Sequence, residues 1–173
     1  MQICLMLASS LLGFMLLNYP FGKIFLGDAG AYFVGFLVAW IALLLPMRNE
    51  EISPWASLLV CAYPIVEVLY SMARRMRVKL KAGQPDNLHL HTLIKTRMVR
   101  RYFMVLPLWA RNASVAPGIW FCSACLGYVA SLYVSDVPVL VMLFAGFVIW
   151  YHVTYRFLAG LPELDNDRNK ASE

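Results

Sequence analysis

Five stretches of this chain run for fifteen residues or more with at most one charged side chain, and this constrains the fold more than any other feature. They are Ile3–Leu17, Gly30–Pro46, Trp55–Met72, Gly118–Val134 and Val137–Tyr155, and only Glu67 interrupts them. A helix needs about 20 mostly apolar residues to cross bilayer hydrocarbon. Across its 173 residues the chain is 61% apolar and 14% charged, whereas a soluble domain has about a quarter of its residues charged. A chain this apolar cannot bury its surface in a water-soluble monomer. The expected fold is all-α: a polytopic membrane protein of about five transmembrane helices, forming a single membrane domain over residues 1–173.

The boundaries follow from local chemistry. Helix one ends at Asn18-Tyr19-Pro20, because proline disfavours helical geometry in the residue before it. Its fifteen residues reach roughly 22 Å against about 30 Å of hydrocarbon, so it reads as a helix cut off at its outer end. Helix three reads as one span from Trp55 into a basic segment. Helix four is expected from Gly118 after a mixed stretch over Val105–Pro117, and helix five closes near Arg156. Trp55, Tyr70, Trp150 and Tyr155 lie near helix ends and suit interfacial anchoring.

Charge distribution orients the array. Arg74, Arg75, Arg77, Lys79, Lys81, Lys95, Arg97, Arg100 and Arg101 fall within residues 73–104, opposed only by Asp86. Short loops rich in Lys and Arg remain in the cytoplasm, so 73–104 is read as a basic cytoplasmic loop rather than a nucleic-acid patch. Counting from it, Asn18–Gly30 and the C-terminal tail are also cytoplasmic, while Met47–Pro54 and Ser135-Asp136 face outward. Cys122 and Cys125 form a C-x-x-C with no second pair and no nearby His, which reads as two packing residues on one helix face.

Two polar segments therefore share one face. In the first, Asp28 follows Gly27 at the mouth of helix two. A carboxylate beside helix N-terminal amides suits Mg²⁺ together with phosphates, or it caps the helix. Gly22 and Gly27 have the spacing that opens a Walker A loop, but Asp28-Ala29 stands where Lys-Ser/Thr belongs. Lys23 suits phosphate or lipid headgroups. In the second segment, Asp86, His89 and His91 suit phosphate binding or metal ligation, or they belong to a solvated loop. Glu67, an acid within a membrane helix, reads as functional, or as snorkelling or pairing with Arg74 or Arg75. His152 reads as interfacial.

The run Asn18-Tyr19-Pro20-Phe21-Gly22-Lys23-Ile24-Phe25-Leu26-Gly27-Asp28-Ala29-Gly30-Ala31, with Gly35-Phe36 after it, resembles a signature of the polyprenyl-phosphate N-acetylhexosamine-1-phosphate transferases. These are relatives of phospho-N-acetylmuramoyl-pentapeptide transferase. Pro85–His91, continued by Thr92-Leu93-Ile94, resembles the same family's histidine loop. The resemblance covers about residues 5–157 and implies a bacterial inner-membrane enzyme with its active face and C-terminus in the cytoplasm. It implies a Mg²⁺-dependent reaction between a UDP-N-acetylhexosamine and polyprenyl (undecaprenyl) phosphate in the bilayer. That reaction starts lipid-linked cell-envelope glycans such as lipopolysaccharide, with no nucleic-acid partner. Carried onto this chain, Asp28 becomes a Mg²⁺ ligand and Phe25 a stacking surface for uracil. Asn18 hydrogen-bonds the uridine. Lys23 and Asp86 join the substrate contacts, and His89 and His91 act on the diphosphate as the catalytic pair.

The sequence departs from that pattern at Ala31, where relatives often have Ser, at Thr92, where many have a further His, and at Asn87, where many have Arg. It contains neither the family's D-D-x-x-D motif nor its N-x-x-D-G-x-D-G motif. The chain thus matches the C-terminal half of such an enzyme. It is expected to be inactive alone and to need the other half, with a homodimer as a further option. The competing reading is a non-catalytic membrane module that binds anionic lipid or nucleotide.

Overall fold

The computed structural model describes residues 2–78, 88–99, 102–103 and 105–161. The element order among them is α1 (Gln2–Asn18), α2 (Gly27–Arg48), α3 (Pro54–Val60), α4 (Ala62–Val78), α5 (Leu90–Leu93), a π-helical turn (Ile94–Val99), α6 (Leu108–Ala113), α7 (Val115–Leu132) and α8 (Val137–Gly160). No strand occurs among the described residues, as expected for an all-α membrane protein.

Among the described residues, three helical segments are long and apolar enough to cross a bilayer: α2, the 25-residue run Leu108–Leu132, and α8. The pair α3–α4 makes a fourth if taken as one bent span, and α1 is a shorter apolar helix. Three to four candidate spans among the described residues fit an all-α polytopic membrane protein, while the expected helix one appears as an apolar helix shorter than a full span. Neither α1 nor α2 contains a buried residue. Helices apolar on every side suit lipid or neighbouring helices.

The expected single helix three is two helices meeting at 74°. Pro64 supplies the reason. It has no N–H for the Val60 carbonyl, and its ring crowds that carbonyl. The chain breaks at Cys61, which has φ −91° and ψ 12°. Upstream, the Ser53 hydroxyl caps α3 by accepting from Trp55 N at 3.2 Å, with Pro54 at the first position, where its missing N–H costs nothing. Helix four begins ten residues before the expected Gly118, at Leu108. Pro117 falls in the first turn of α7, where proline is tolerated, so it does not mark a boundary.

Asp136 caps α8 by accepting from Val139 N at 3.3 Å. At the other end of α8, Arg97 Nη1 donates to the carbonyls of Leu158, Ala159 and Leu161, satisfying acceptors that a helix end leaves open. The segment 73–104 is therefore not an open loop where it is described. It carries the last turns of α4, then α5 and the π turn docked on α8. Two connections meet at the opposite end of the bundle. Ser53 N donates to Val134 O at 2.9 Å, and Ser135 Oγ donates to Glu51 O at 2.5 Å. This juxtaposition agrees with the expected pairing of 47–54 and 135–136 on one side.

The core lies where α3, α4, α5, α7 and α8 converge. Leu59, Leu90, Leu93, Leu140, Tyr151 and Leu158 are fully buried there. Cys122 packs against this core, in line with the packing reading, whereas Cys125 is exposed; both are free thiols. Tyr155 departs from expectation: it is buried rather than an interfacial anchor.

Candidate active site at the α4–α5 junction

Glu67 organises the histidine segment. Its Oε1 lies 3.0 Å from His89 Nδ1 and accepts from Leu90 N at 3.1 Å, while Oε2 accepts from the Tyr151 hydroxyl at 2.9 Å. The short α5 has no cap from the side chain of His89, its N-cap residue. The Glu67 carboxylate, projecting from α4, satisfies the first amide instead. An acid in an apolar helix is costly unless donors surround it, and here three donors share two oxygens. Glu67 keeps 12% of its side-chain surface exposed and His89 keeps 32%, so the carboxylate is covered while the imidazole reaches solvent. The expected pairing of Glu67 with Arg74 or Arg75 gives way to these partners.

His91 lies one helical step away, with its ring stacked on that of His89 at 5.5 Å between centroids and 10° between planes. The ring is exposed at the surface, yet the protein atoms around it lower its pKa below the ordinary value by desolvation. Glu67 opposes this shift, and His89 and Lys95 add to it. His91 is therefore held neutral near pH 7, leaving one ring nitrogen as an acceptor.

Arg74 secures the approach to this segment. Its Nη1 donates to Leu88 O at 2.5 Å and to the Tyr155 hydroxyl at 2.6 Å. Its guanidinium lies 5.8 Å from the Tyr155 ring centre. Asp86 lies outside the described residues, as do Pro85 and Asn87.

The α1–α2 connection forms a second cluster. Asn18 Oδ1 accepts from Ile24 N at 3.0 Å, and Asn18 O accepts from Gly22 N at 2.6 Å. The side-chain carbonyl thus shapes the turn. Gly22 and Gly27 have φ of +63° and +70°, a region that other residues adopt only with strain. A Cβ on Gly30 would lie 2.8 Å from Leu26 Cγ, so glycine lets the Leu26 side chain fold over the first turn. Phe25 is 94% exposed, a free aromatic face. Lys23 Nζ lies 5.6 Å from the Phe21 ring centre.

Asp28 does not cap α2. Leu26 occupies the N-cap position, and Asp28 sits inside the first turn, where the helix dipole favours a negative charge. Its carboxylate is exposed. No group of three His, Cys, Asp or Glu side chains able to hold a metal occurs among the described residues. Mg²⁺ often takes only one or two carboxylates with substrate phosphates, and an exposed first-turn aspartate fits the role of one such ligand. His89 and His91 come together as expected. Among the described residues, no hydrogen bond, ion pair or ring contact joins them to Asn18, Lys23, Phe25 or Asp28.

Sequence reasoning missed Tyr151 and the partners of Glu67. The signal available was the acid itself: a carboxylate among apolar residues demands donors. Tyr151 is one of nine tyrosines, and nothing local distinguishes it.

Fold and site together define an all-α, multi-pass membrane protein whose polar functional groups gather at helix ends. Residues 1–46 match Glycosyl transferase family 4. The chain is 30% identical over 142 residues to the undecaprenyl-phosphate alpha-N-acetylglucosaminyl 1-phosphate transferase of Pasteurella multocida, covering 79% of this chain and 36% of that protein. The proteins of the same name from Haemophilus influenzae and Escherichia coli K12 are 35% and 33% identical, over 49% and 53% of this chain and 26% of each protein. The chain is thus similar to part of these transferases and spans only about a third or a quarter of their length. No solved structure matches it.

Proposed function

We propose that this chain is part of a bacterial inner-membrane enzyme that transfers N-acetylglucosamine 1-phosphate from its UDP-sugar to undecaprenyl phosphate. The observation that carries the reading is the stacked pair of imidazoles, His89 and His91, of which His89 is held by the Glu67 carboxylate, at the mouth of a membrane bundle. The names of the relatives support the substrates, and the cationic residues around 73–104 support a cytoplasmic position for this face.

In this reading an oxygen of the lipid phosphate attacks the β-phosphorus of the UDP-sugar. The bond from that phosphorus to the UMP oxygen breaks, and UMP carries away the electron pair. The sugar is left on undecaprenyl diphosphate. His89 and His91 lie along the diphosphate and stabilise its charge in a partly desolvated site. Phe25, with its face open, stacks on uracil, and the Asn18 amide hydrogen-bonds the uridine. Lys23 and Asp86 complete the substrate contacts. Asp28, together with the substrate phosphates, would hold Mg²⁺, which would supply Lewis-acid neutralisation of charge on the transferring group. A further carboxylate set would come from the portion of such an enzyme that the relatives have beyond the matched length.

The test is UMP release from UDP-N-acetylglucosamine and undecaprenyl phosphate. The purified 173-residue chain is expected to release none. Co-expression with the remaining portion of a relative should restore some release. Restored release that survives loss of both histidines would overturn the assignment of the site.

A further inference from the structure

A pocket of about 590 Å³ opens between α4 and α8 beside the histidine segment. Tyr70, Arg74 and Arg77 line it from α4, and His152, Tyr155 and Arg156 line it from α8. No acidic side chain is among its lining residues as far as the described residues go. Three guanidinium groups in one concave site raise the local potential strongly, because low-dielectric walls focus the field.

Its depth is informative. Arg156 is the only charged residue of α8, and it lies in the last turns of that 24-residue helix. Arg74 and Arg77 lie in the last turns of α4. The cations therefore stand at the level where hydrocarbon gives way to headgroups. The neighbouring surfaces are apolar: Leu69, Met72 and Met76 on α4, and Val153 and Phe157 on α8, are all exposed. A cationic pocket between two membrane helices, flanked by exposed apolar side chains, matches a phosphate group that arrives with acyl chains attached.

Arg77 and Arg156 are exposed, and neither makes a hydrogen bond or ion pair among the described residues. Tyr70 and His152 face each other at 3.3 Å between the hydroxyl and Nδ1, offering a neutral hydrogen-bonding edge. Arg74 differs, since it already holds Leu88 O and the Tyr155 hydroxyl. It joins the pocket wall to the residue before His89.

We propose that this pocket binds the phosphate of an anionic bilayer lipid headgroup, with Arg77 and Arg156 as its principal ligands. The site requires no transferase activity and stands apart from the reaction proposed above.

The chain is reconstituted in phosphatidylcholine nanodiscs with increasing phosphatidylglycerol, and retained lipid is counted by native mass spectrometry. The wild-type chain should keep phosphatidylglycerol in preference to phosphatidylcholine. Arg77→Gln with Arg156→Gln should cut that retention at least fivefold, while Arg48→Gln, at the other end of α2, leaves it unchanged. Lysine at both positions should restore part of it. Competition by millimolar inorganic phosphate as effective as added phosphatidylglycerol would keep the phosphate chemistry and overturn the lipid source. A photoreactive phosphatidylglycerol on the unmutated chain gives an answer independent of variant folding. Labels should concentrate on peptides containing 70–77 and 152–156. Labelling spread over all helices in proportion to their exposure would overturn the site, as would equal retention by the double variant.

Discussion

The Glu67 carboxylate lies 3.0 Å from His89 Nδ1, so an acid inside a membrane helix fixes the orientation of an imidazole on a separate segment. Glu67 keeps 12% of its side-chain surface exposed and His89 keeps 32%, so the acid anchors a ring that still reaches solvent. The same carboxylate holds the first amide of α5 and the Tyr151 hydroxyl. One side chain thus joins α4, α5 and α8 and presents the His89 ring outward.

Glu67→Gln tests this relationship. An amide turns one acceptor into a donor that faces either His89 or Tyr151, both of which donate. Thermal unfolding should show a loss of about 1–3 kcal/mol. Solvent exchange at the Leu90 amide should quicken as α5 loosens. Unchanged stability together with an unchanged Leu90 amide would show that the contact is incidental.

Removing the outward nitrogens while keeping the inward donor separates chemistry from folding. His89→Asn retains an N–H donor near the position of Nδ1, and His91→Ala removes the stacked ring. In the full-length enzyme the pair should lower turnover about 100-fold or more, with membrane insertion and unfolding temperature near wild type. Normal turnover would reduce the segment to a structural element.

Asp28→Asn is informative because the side chain does not cap α2. Losing one charge from the first turn should change stability by less than about 1 kcal/mol. Loss of a hard oxygen ligand should lower full-length turnover by orders of magnitude and shift its Mg²⁺ dependence. An active variant with unaltered Mg²⁺ dependence would refute the metal assignment.

The lowered pKa of His91 has a defined pH signature. Its cause is desolvation, assisted by His89 and Lys95 and opposed by Glu67. The folded state favours the neutral ring, so above the unfolded pKa of about 6.5 the group contributes nothing to pH dependence. As pH falls below that value, the unfolded chain takes up the proton first and stability declines, until the folded pKa is also passed. Unfolding measured from pH 7.5 to 5 should show this decline, and His91→Gln should flatten it. A wild-type profile that rises on acidification would contradict the sign.

The sequence by itself determined that this chain is helical and membrane-bound. Uncharged runs such as Gly30–Pro46 and Val137–Tyr155 leave lipid as the only adequate solvent, and backbone groups in lipid must be satisfied within helices. It also determined the start of α8 at Asp136-Val137, because capping depends on residues adjacent in the chain. The pairing of His89 with His91 was likewise readable, since two positions of separation keep the rings close in any compact conformation. The break at Cys61 was legible in Pro64, but the long apolar run around it masked the signal. Only the tertiary structure decided what Glu67 does. Its partners lie 22, 23 and 84 positions away, and a carboxylate on an apolar helix states that donors are needed without stating which helix supplies them. The basic pocket has the same origin. Arg77 and Arg156 belong to different helices, and only the packing of α4 on α8 brings their charges to one site.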